Sequence, residues 1–305
     1  MLIYTLKRFG VALLVLVSVS LITFTLLRFS GDPAAAMAGE AATEEDIEYV
    51  RKQFGFDQPL PVQYWVWAKR ALQGDLGISI YLKQPVAQII ANKAPVTMKL
   101  GALSLGFALM LSIPLGVLAA MRPNTITDRL ALTIAVVGQA FPSFFFALIL
   151  ILVFGVQLRW LPITGNDTWL HYILPSIALG YYATPAIMRM TRAGMIEVLG
   201  SDYIRTAKAK GLRPPIVLFK HALRNAIIPV VSLSAVQLGF MLGGSIVIEQ
   251  IFSLHGIGRL AWQSIQRSDF DVLQAIGLTV ACFYVVLTFL ADVLNAFLDP
   301  RIRVN

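Results

Sequence analysis

Residues 100–121 read LGALSLGFALMLSIPLGVLAAM, a stretch without a single charged side chain. An α-helix rises about 1.5 Å per residue, so about 20 apolar residues cross the hydrocarbon core of a bilayer. Each charged residue at the centre of such a span would cost about 3 kcal/mol. The stretch therefore predicts a transmembrane helix.

Four more charge-free windows of spanning length lie along the chain, at residues 9–27, 130–158, 225–248 and 272–291. A sixth window, residues 168–188, is weaker because it holds only six Leu, Ile, Val or Phe residues. We expect this sixth helix to lie inside the bundle, shielded from lipid. The windows predict an all-α polytopic membrane protein with six transmembrane helices.

The composition supports this class of protein. Of the 305 residues, 57% are hydrophobic and 14% are charged, and the mean hydropathy is +0.72. Too few charges are present to cover a soluble fold, and the chain is too apolar to stay disordered. The single cysteine, Cys282, lies in an apolar run, which favours a small buried side chain over a disulfide.

The distribution of charge predicts the orientation. Six spans place both termini on one side, where the exposed segments carry 14 basic and five acidic residues. The segments on the other side carry 11 basic and 12 acidic residues. The positive-inside rule then makes both termini cytoplasmic, and the net charge of +8 reflects this topology rather than a nucleic-acid partner. The apolar stretch 9–27 is longer than the core of a signal peptide, so we expect a membrane anchor.

The windows divide the chain into three parts. Residues 1–29 form a cytoplasmic N-terminus and the first span, residues 30–98 an extracytoplasmic helical cap, and residues 99–305 the core with a cytoplasmic loop at 189–224. Within the cap, Thr43 is expected to start a helix that ends near Gly55, and a second helix is expected at 61–73.

The loop at 189–224 contains a short helix with its own start and stop signals. Ser201 or Asp202 can serve as the N-cap, Gly211 can end the helix, and two prolines follow at positions 214 and 215. An isolated helix this short is only marginally stable in water, so it requires a docking surface. Lipid headgroups alone would explain the positive charge of the loop but not its helix signals.

At this loop the sequence resembles the permease subunits of bacterial ABC importers. Residues 202–211 read DYIRTAKAKG and residues 221–229 read HALRNAIIP, which look like the dipeptide, oligopeptide and nickel branch of that family. Arg205 replaces the glutamate of the general family motif. Shorter strings along the rest of the chain also resemble this branch, among them GDP at 31–33, GGS at 243–245 with Glu249, GIG at 256–258 and DPRIR at 299–303.

The resemblance implies a subunit that works in a complex. Its implied partners are a second homologous permease, two ATP-binding subunits, an extracytoplasmic substrate-binding protein and the membrane lipid of the bacterial cytoplasmic (inner) membrane. No phosphate-binding loop GxxxxGK[ST] occurs in the sequence, so ATP and Mg²⁺ are expected at the partner ATPase subunits and no cofactor or metal on this chain. The chain is predicted to be a transport subunit without catalytic residues.

Three groups of residues are predicted to serve transport. The short loop helix is expected to couple the chain to an ATPase subunit through Tyr203, Arg205, Thr206, Ala207, Lys208, Lys210, Gly211 and Arg213. Gly239, Gly243 and Gly244 in the fifth span permit close helix packing, either against the paired permease or within this chain. Polar groups along a substrate path are predicted to be Gln139, Ser143 and Gln237.

Other classes of protein fit the sequence less well. A proton-coupled secondary transporter usually needs titratable groups near the middle of the membrane, and the charge-free windows supply no acidic, basic or histidine side chain there. An intramembrane hydrolase needs a nucleophile with a base or a metal set, and the sequence contains no motif of this kind. A passive channel has no need of a docking helix. The cargo implied by the resemblance is a short peptide, and glutathione or a nickel chelate remains an alternative.

Overall fold

The structure is a computed structural model that describes residues 2–39, 41–137 and 140–298. These residues form helices and no strand, with one isolated antiparallel bridge between Ile78 and Pro85. The α-helices are α1 Leu2–Ser30, α2 Pro33–Ala38, α3 Glu44–Gln53, α4 Leu60–Leu72, α5 Val86–Met121, α6 Ile126–Val137, α7 Ser143–Leu150, α8 Ile173–Tyr181, α9 Thr184–Leu199, α10 Asp202–Ala209, α11 Arg224–Ala226, α12 Ile228–Ile251, α13 Ile257–Gln266 and α14 Phe270–Leu298. Residues 299–303, which include the DPRIR string, lie outside the described ranges.

Within the described ranges, four helices are long and apolar enough to cross a bilayer: α1, α5, α12 and α14. Helices α1, α5 and α14 each contain a predicted window, and α12 covers the window 225–248 from residue 228 onward, so the all-α membrane fold is confirmed. Helix α5 is longer than its window, because it begins at Val86 rather than at residue 100. Its 36 residues extend about 54 Å, well beyond a hydrocarbon core of about 30 Å. The boundary expected at residues 98/99 therefore falls inside one continuous helix.

Two predicted windows are occupied by broken helices. The window 130–158 is covered by α6 and α7, and a π-helical segment Ile151–Gln157 continues α7. The break coincides with Pro142, which directly precedes α7 and lacks the backbone N–H needed inside a helix. The window 168–188 begins with a 3₁₀ turn, Trp169–Tyr172, followed by α8 and the start of α9. The total of six spans accordingly stays a prediction.

The weak sixth window lies inside the bundle, as predicted. Six of the nine residues of α8 are buried, and α8 packs against α5. The closest approach occurs at Gly180, where a β-carbon would lie 2.3 Å from the backbone oxygen of Ser104. Only glycine fits at this crossing, so the small residue sets the distance between the two helices. In contrast, Cys282 is only half-buried, less than we expected from its apolar surroundings.

The cap consists of α2, α3 and α4. As predicted, Thr43 starts α3: its Oγ1 accepts from the backbone N–H of Asp46, and the Asp46 carboxylate accepts from the backbone N–H of Thr43 in a capping box. Gly55 follows the end of α3 at φ +71°, and α4 covers the second predicted cap helix with bounds shifted by one residue.

Helix α5 connects the two ends of the molecule. Its first turns, with Val86 and Ile89, belong to a buried cluster with α13 and α14 on the cap side. Its last turns, with Val117 and Ala120, belong to a cluster with α9 and α10 at the opposite end. The loop helix α10 and the cap therefore lie at opposite ends of α5.

Candidate coupling site

Helix α10 forms where the sequence predicts the short loop helix. Ser201 occupies the N-cap position, but its Oγ donates to the carbonyl of Val198 at 2.6 Å instead of accepting from α10. At the other end Gly211 adopts φ +74°, a left-handed conformation that glycine reaches without a steric penalty. The N–H of Leu212 then bonds to the carbonyl of Ala207 at 3.4 Å, which closes the helix end.

One face of α10 holds it against the bundle. Ile204 is completely buried, and Ala207 is 7% exposed. Both contribute to the cluster formed with the end of α5, α9 and the helical segment Ile216–Leu223. Ala207, one of the predicted coupling residues, thus faces this chain itself, and its small size lets α10 lie close to the bundle.

The other face of α10 is open. The remaining predicted coupling residues are exposed: Tyr203, Arg205, Thr206, Lys208, Lys210, Gly211 and Arg213. Arg205 pairs with Asp202 at 2.9 Å, but both side chains are largely in solvent, so this pair contributes little stability. Among the described residues, Lys208, Lys210 and Arg213 have no ion-pair partner. The result is a basic face supported by an apolar one.

A hydrogen bond links α10 to α11, the short helix that precedes α12. Asn225 donates from Nδ2 to the hydroxyl oxygen of Tyr203 at 2.8 Å and to the carbonyl of His221 at 3.3 Å. Asn225 lies in α11, directly before α12. Sequence reasoning did not assign this role to Asn225, although the HALRNA string contains it.

A second link joins α9 to the first turn of α6. Arg192 makes two hydrogen bonds to the carboxylate of Asp128, from Nε at 2.7 Å and from Nη2 at 2.6 Å, and the backbone N–H of Asn124 adds a third at 2.8 Å. The Asp128 side chain is only 3% exposed, and the Arg192 hydrogen bonds hold its pKa below the usual value. Since α9 leads directly into α10, this pair fixes the position from which α10 begins.

In the sequence, Asp128 and Arg192 contribute only to the charge distribution that predicts the orientation of the chain. An acidic residue beside an apolar window is costly without a partner, and that signal could have identified Asp128. Its partner lies 64 residues away along the chain, so no local pattern points to it.

The predicted glycines do not act as one surface. A β-carbon at Gly239 would lie 2.1 Å from the Tyr284 ring of α14, so Gly239 serves packing within this chain. At Gly243 no described atom outside the local turn of α12 lies within 4 Å of that position, and at Gly244 the nearest such atom is a side-chain carbon of Leu179 at 3.8 Å. Gly243 and Gly244 stay candidates for an interface with a second permease.

The predicted path residues are only partly described. Gln139 lies outside the described residues. Ser143 begins α7 and Gln237 lies within α12; both are half-buried, and these two helices pack against each other. The structure therefore places two of the three on neighbouring helices, and their role in transport stays a prediction.

A buried polar centre lies at the cap end of the bundle. The carboxylate of Glu249, which is completely buried, accepts from the hydroxyl of Thr97 at 2.7 Å and from the backbone N–H of Arg259 at 2.9 Å. The same Thr97 oxygen accepts from the N–H of Ile257 at 2.8 Å. Two of the free N–H groups at the start of α13 are thereby satisfied by α5 and α12, because the N-cap residue Gly256 has no side chain.

The all-α membrane fold agrees with the comparison with known families. The family described as "Binding-protein-dependent transport system inner membrane component" matches residues 112–304, and its N-terminal counterpart matches residues 1–101. The chain therefore belongs to the binding-protein-dependent permeases of ABC importers, as the sequence resemblance implied. It is a multi-pass inner-membrane transport subunit rather than an enzyme, and it works in an assembly with ATPase subunits.

Individual relatives cover almost the whole chain. The chain is 43% identical to the glutathione transport system permease protein GsiC of Escherichia coli O6:H1 and 42% identical to GsiC of Pectobacterium atrosepticum, in each case over 99% of both chains. Among solved structures, the methionine ABC transporter MetNI in an inward-facing conformation matches with a TM-score of 0.58 at 18% identity, over 70% of this chain and 97% of that chain. This last similarity shows a common fold.

Proposed function

We propose that this chain forms half of the translocation path of an ATP-driven importer for short peptides, with glutathione as the first cargo to test. A second homologous permease forms the other half, two ATP-binding subunits hold ATP and Mg²⁺, and an extracytoplasmic binding protein delivers the cargo. Both termini and α10 face the cytoplasm. The observation that carries this proposal is α10 itself: anchored by Ile204 and Ala207, it presents an exposed basic face at the end of the bundle opposite the cap.

Helix α10 can transmit movement because contacts connect it to α12 by way of α11 and to α6 by way of α9. A groove of an ATPase subunit that accepts Lys208 and its basic neighbours would move α10 when the groove closes. Since Tyr203 bonds to Asn225, the movement reaches α12, and since Arg192 holds Asp128, it reaches α6. Two arrangements of the bundle, biased by nucleotide bound to the partner, then give alternating access.

The proposed cargo rests on the relatives. GsiC is named for glutathione transport, and the similarity extends over the full length of both chains. Dipeptides and oligopeptides, the cargo implied by the sequence resemblance, are the second candidate. The residues of α10 serve either cargo equally, so the two candidates differ in substrate and not in mechanism.

Uptake into proteoliposomes tests both parts of the proposal. The chain is reconstituted with the subunits that co-purify with it, and uptake of labelled glutathione is compared with uptake of Ala-Phe. We expect glutathione uptake that requires ATP and the binding protein and is unaffected by a protonophore. Uptake of Ala-Phe without uptake of glutathione would show that the cargo is a dipeptide and not glutathione. Uptake driven by a proton gradient without ATP would refute the mechanism.

Charge neutralisation tests the coupling role of α10. Replacing Arg205→Gln together with Lys208→Gln removes two exposed charges of the docking face, each worth up to about 1 kcal/mol in an ion pair. We expect uptake to fall about three- to tenfold while ATP hydrolysis continues. The matched control, Lys52→Gln with Lys69→Gln, removes two exposed charges from the cap instead. Equal uptake by both double variants would contradict the docking role.

A further inference from the structure

The cap contains a cavity of about 390 Å³ between α1, α4, the start of α14 and the loops that follow α3 and α4. This volume lies within the range of small-molecule sites. Its walls are largely apolar and aromatic, with Phe56 and Trp67 among them, and a few polar groups converge on it. None of the predicted path residues lines it.

The guanidinium of Arg28 is held in place without a hydrogen-bond partner. Its Cζ lies 5.0 Å from the ring centre of Phe24 and 4.7 Å from that of Phe56, so two aromatic rings fix its position. Among the described residues, none makes a hydrogen bond or an ion pair with its five N–H donors, and the carboxylates of Asp271 and Asp32 act on it only through their charge at longer range. A half-buried guanidinium in this state is prepared for an anionic group, and a carboxylate matches its planar donors.

The side-chain amide of Gln63 forms part of the same wall. Gln63 donates from Nε2 to the carbonyls of Phe56 at 3.0 Å and Gln58 at 2.7 Å, which fixes the orientation of its side chain. Its Oε1 is buried and has no partner among the described residues. Because this oxygen is closed off from the cavity, Gln63 contributes a rigid part of the wall and no direct contact to a ligand.

The charges around the cavity indicate the ligand. Arg70 is already paired with Asp75 at 2.8 Å, which leaves Arg28 and Lys83 as cations and Asp271 as the one carboxylate. The Asp271 carboxylate accepts a hydrogen bond from the backbone of Ile78 in the adjacent loop, which also approaches it closely at Gly77. Two cations and one carboxylate complement a molecule with two carboxylates and one ammonium group.

We propose that this pocket binds a small zwitterion of net negative charge, the class of an acidic amino acid or a short acidic peptide. Arg28 and Lys83 bind the two carboxylates, and Asp271 binds the ammonium group. The ligand class follows from the charges of the pocket and does not depend on which cargo the importer carries. The permease would then bind a solute on its cap without ATP or the binding protein.

Calorimetric titration of the purified full chain in lipid nanodiscs tests the proposal, with glutathione and glutamate as probes. Both carry two carboxylates and one ammonium group, whereas the control probes lack this pattern: glycylglycine has one carboxylate and glutathione diethyl ester has none. We expect binding of glutathione and glutamate, at least tenfold weaker binding of glycylglycine and none of the diester. The proposal is overturned if neither acidic probe binds at millimolar concentration, or if the diester binds equally well.

Variants locate the site. Arg28→Gln should weaken binding of glutamate at least tenfold, because a charge-assisted bidentate contact is lost. Lys83→Glu reverses an exposed charge on a loop and should weaken binding several-fold without affecting folding, so it keeps the test valid if Arg28→Gln does not fold. Lys69→Gln, an exposed cation of α4 outside the cavity, is the matched control. Unchanged binding by Lys83→Glu and by folded Arg28→Gln would place the ligand elsewhere and refute the proposal.

Discussion

Replacing Thr97→Val should release the start of α13 from the bundle. Thr97 is 4% exposed, and its hydroxyl makes two contacts, as a donor to Glu249 and as the acceptor for the Ile257 N–H. Valine keeps the shape of the side chain but removes both contacts. The substitution costs one hydrogen bond, about 1 kcal/mol, and leaves a buried N–H without an acceptor, about 1–3 kcal/mol more. We therefore expect α13 to be locally destabilised by about 2–4 kcal/mol.

Hydrogen–deuterium exchange measures this loss directly. Since each 1.4 kcal/mol is a factor of ten in an equilibrium constant, amides at the start of α13 should exchange about 30- to 700-fold faster in Thr97→Val. Thr97→Ser is the control, because serine keeps the hydroxyl and should preserve most of the protection. Equal exchange in the two variants would show that the hydroxyl does not hold α13.

Two further substitutions test the other end of the bundle. Gly211→Ala places a β-carbon at φ +74° and should cost about 1 kcal/mol of local stability at the end of α10, seen as lower uptake in proteoliposomes; Gly74→Ala, at φ +83° in the cap and equally free of neighbours, should leave uptake unchanged. For Asp128→Asn, we expect a lower melting temperature at neutral pH. Because the pKa of Asp128 is depressed in the folded state, its pairing stabilises the fold above the ordinary carboxyl pKa of about 3.8 and is lost as the pH falls through the lower folded value. The difference from wild type should therefore shrink in acid, and a constant difference would contradict this assignment.

Features set by neighbouring residues could be predicted from the sequence. Thr43 with Asp46 gave the start of α3, and Gly211 gave the end of α10, because both signals act within a few residues. The charge-free windows located the long helices for a similar reason, since the cost of a charge in lipid applies to each position separately.

The start of α5 was missed because a charged residue does not end a helix. Lys93 and Lys99 end the apolar window, yet the helix continues through both of them to Val86. The ammonium of Lys99 lies 4.3 Å from the ring centre of Tyr172, which stabilises its charge beside the bundle. Such a contact joins residues 73 positions apart and leaves no trace in the local pattern.

The polar pairs of the candidate site were missed for the same physical reason. Thr97 and Glu249 are 152 residues apart, and Arg192 and Asp128 are 64 apart. The sequence shows that such groups occur near apolar windows and so require partners, but only the packing of the helices determines which partner each one meets.

Helix α5 connects the two ends of the bundle physically. All four clusters of buried apolar side chains contain residues of this helix, from Val86 beside α13 to Ala120 beside α10. A displacement of α10 therefore acts on the same helix that carries Thr97. Pro95 and Pro114 interrupt the hydrogen bonding of α5, because proline offers no N–H to the carbonyl four residues earlier. Bending of α5 should concentrate at these two prolines. We therefore expect the segment between them to move as a rigid unit when α10 is displaced.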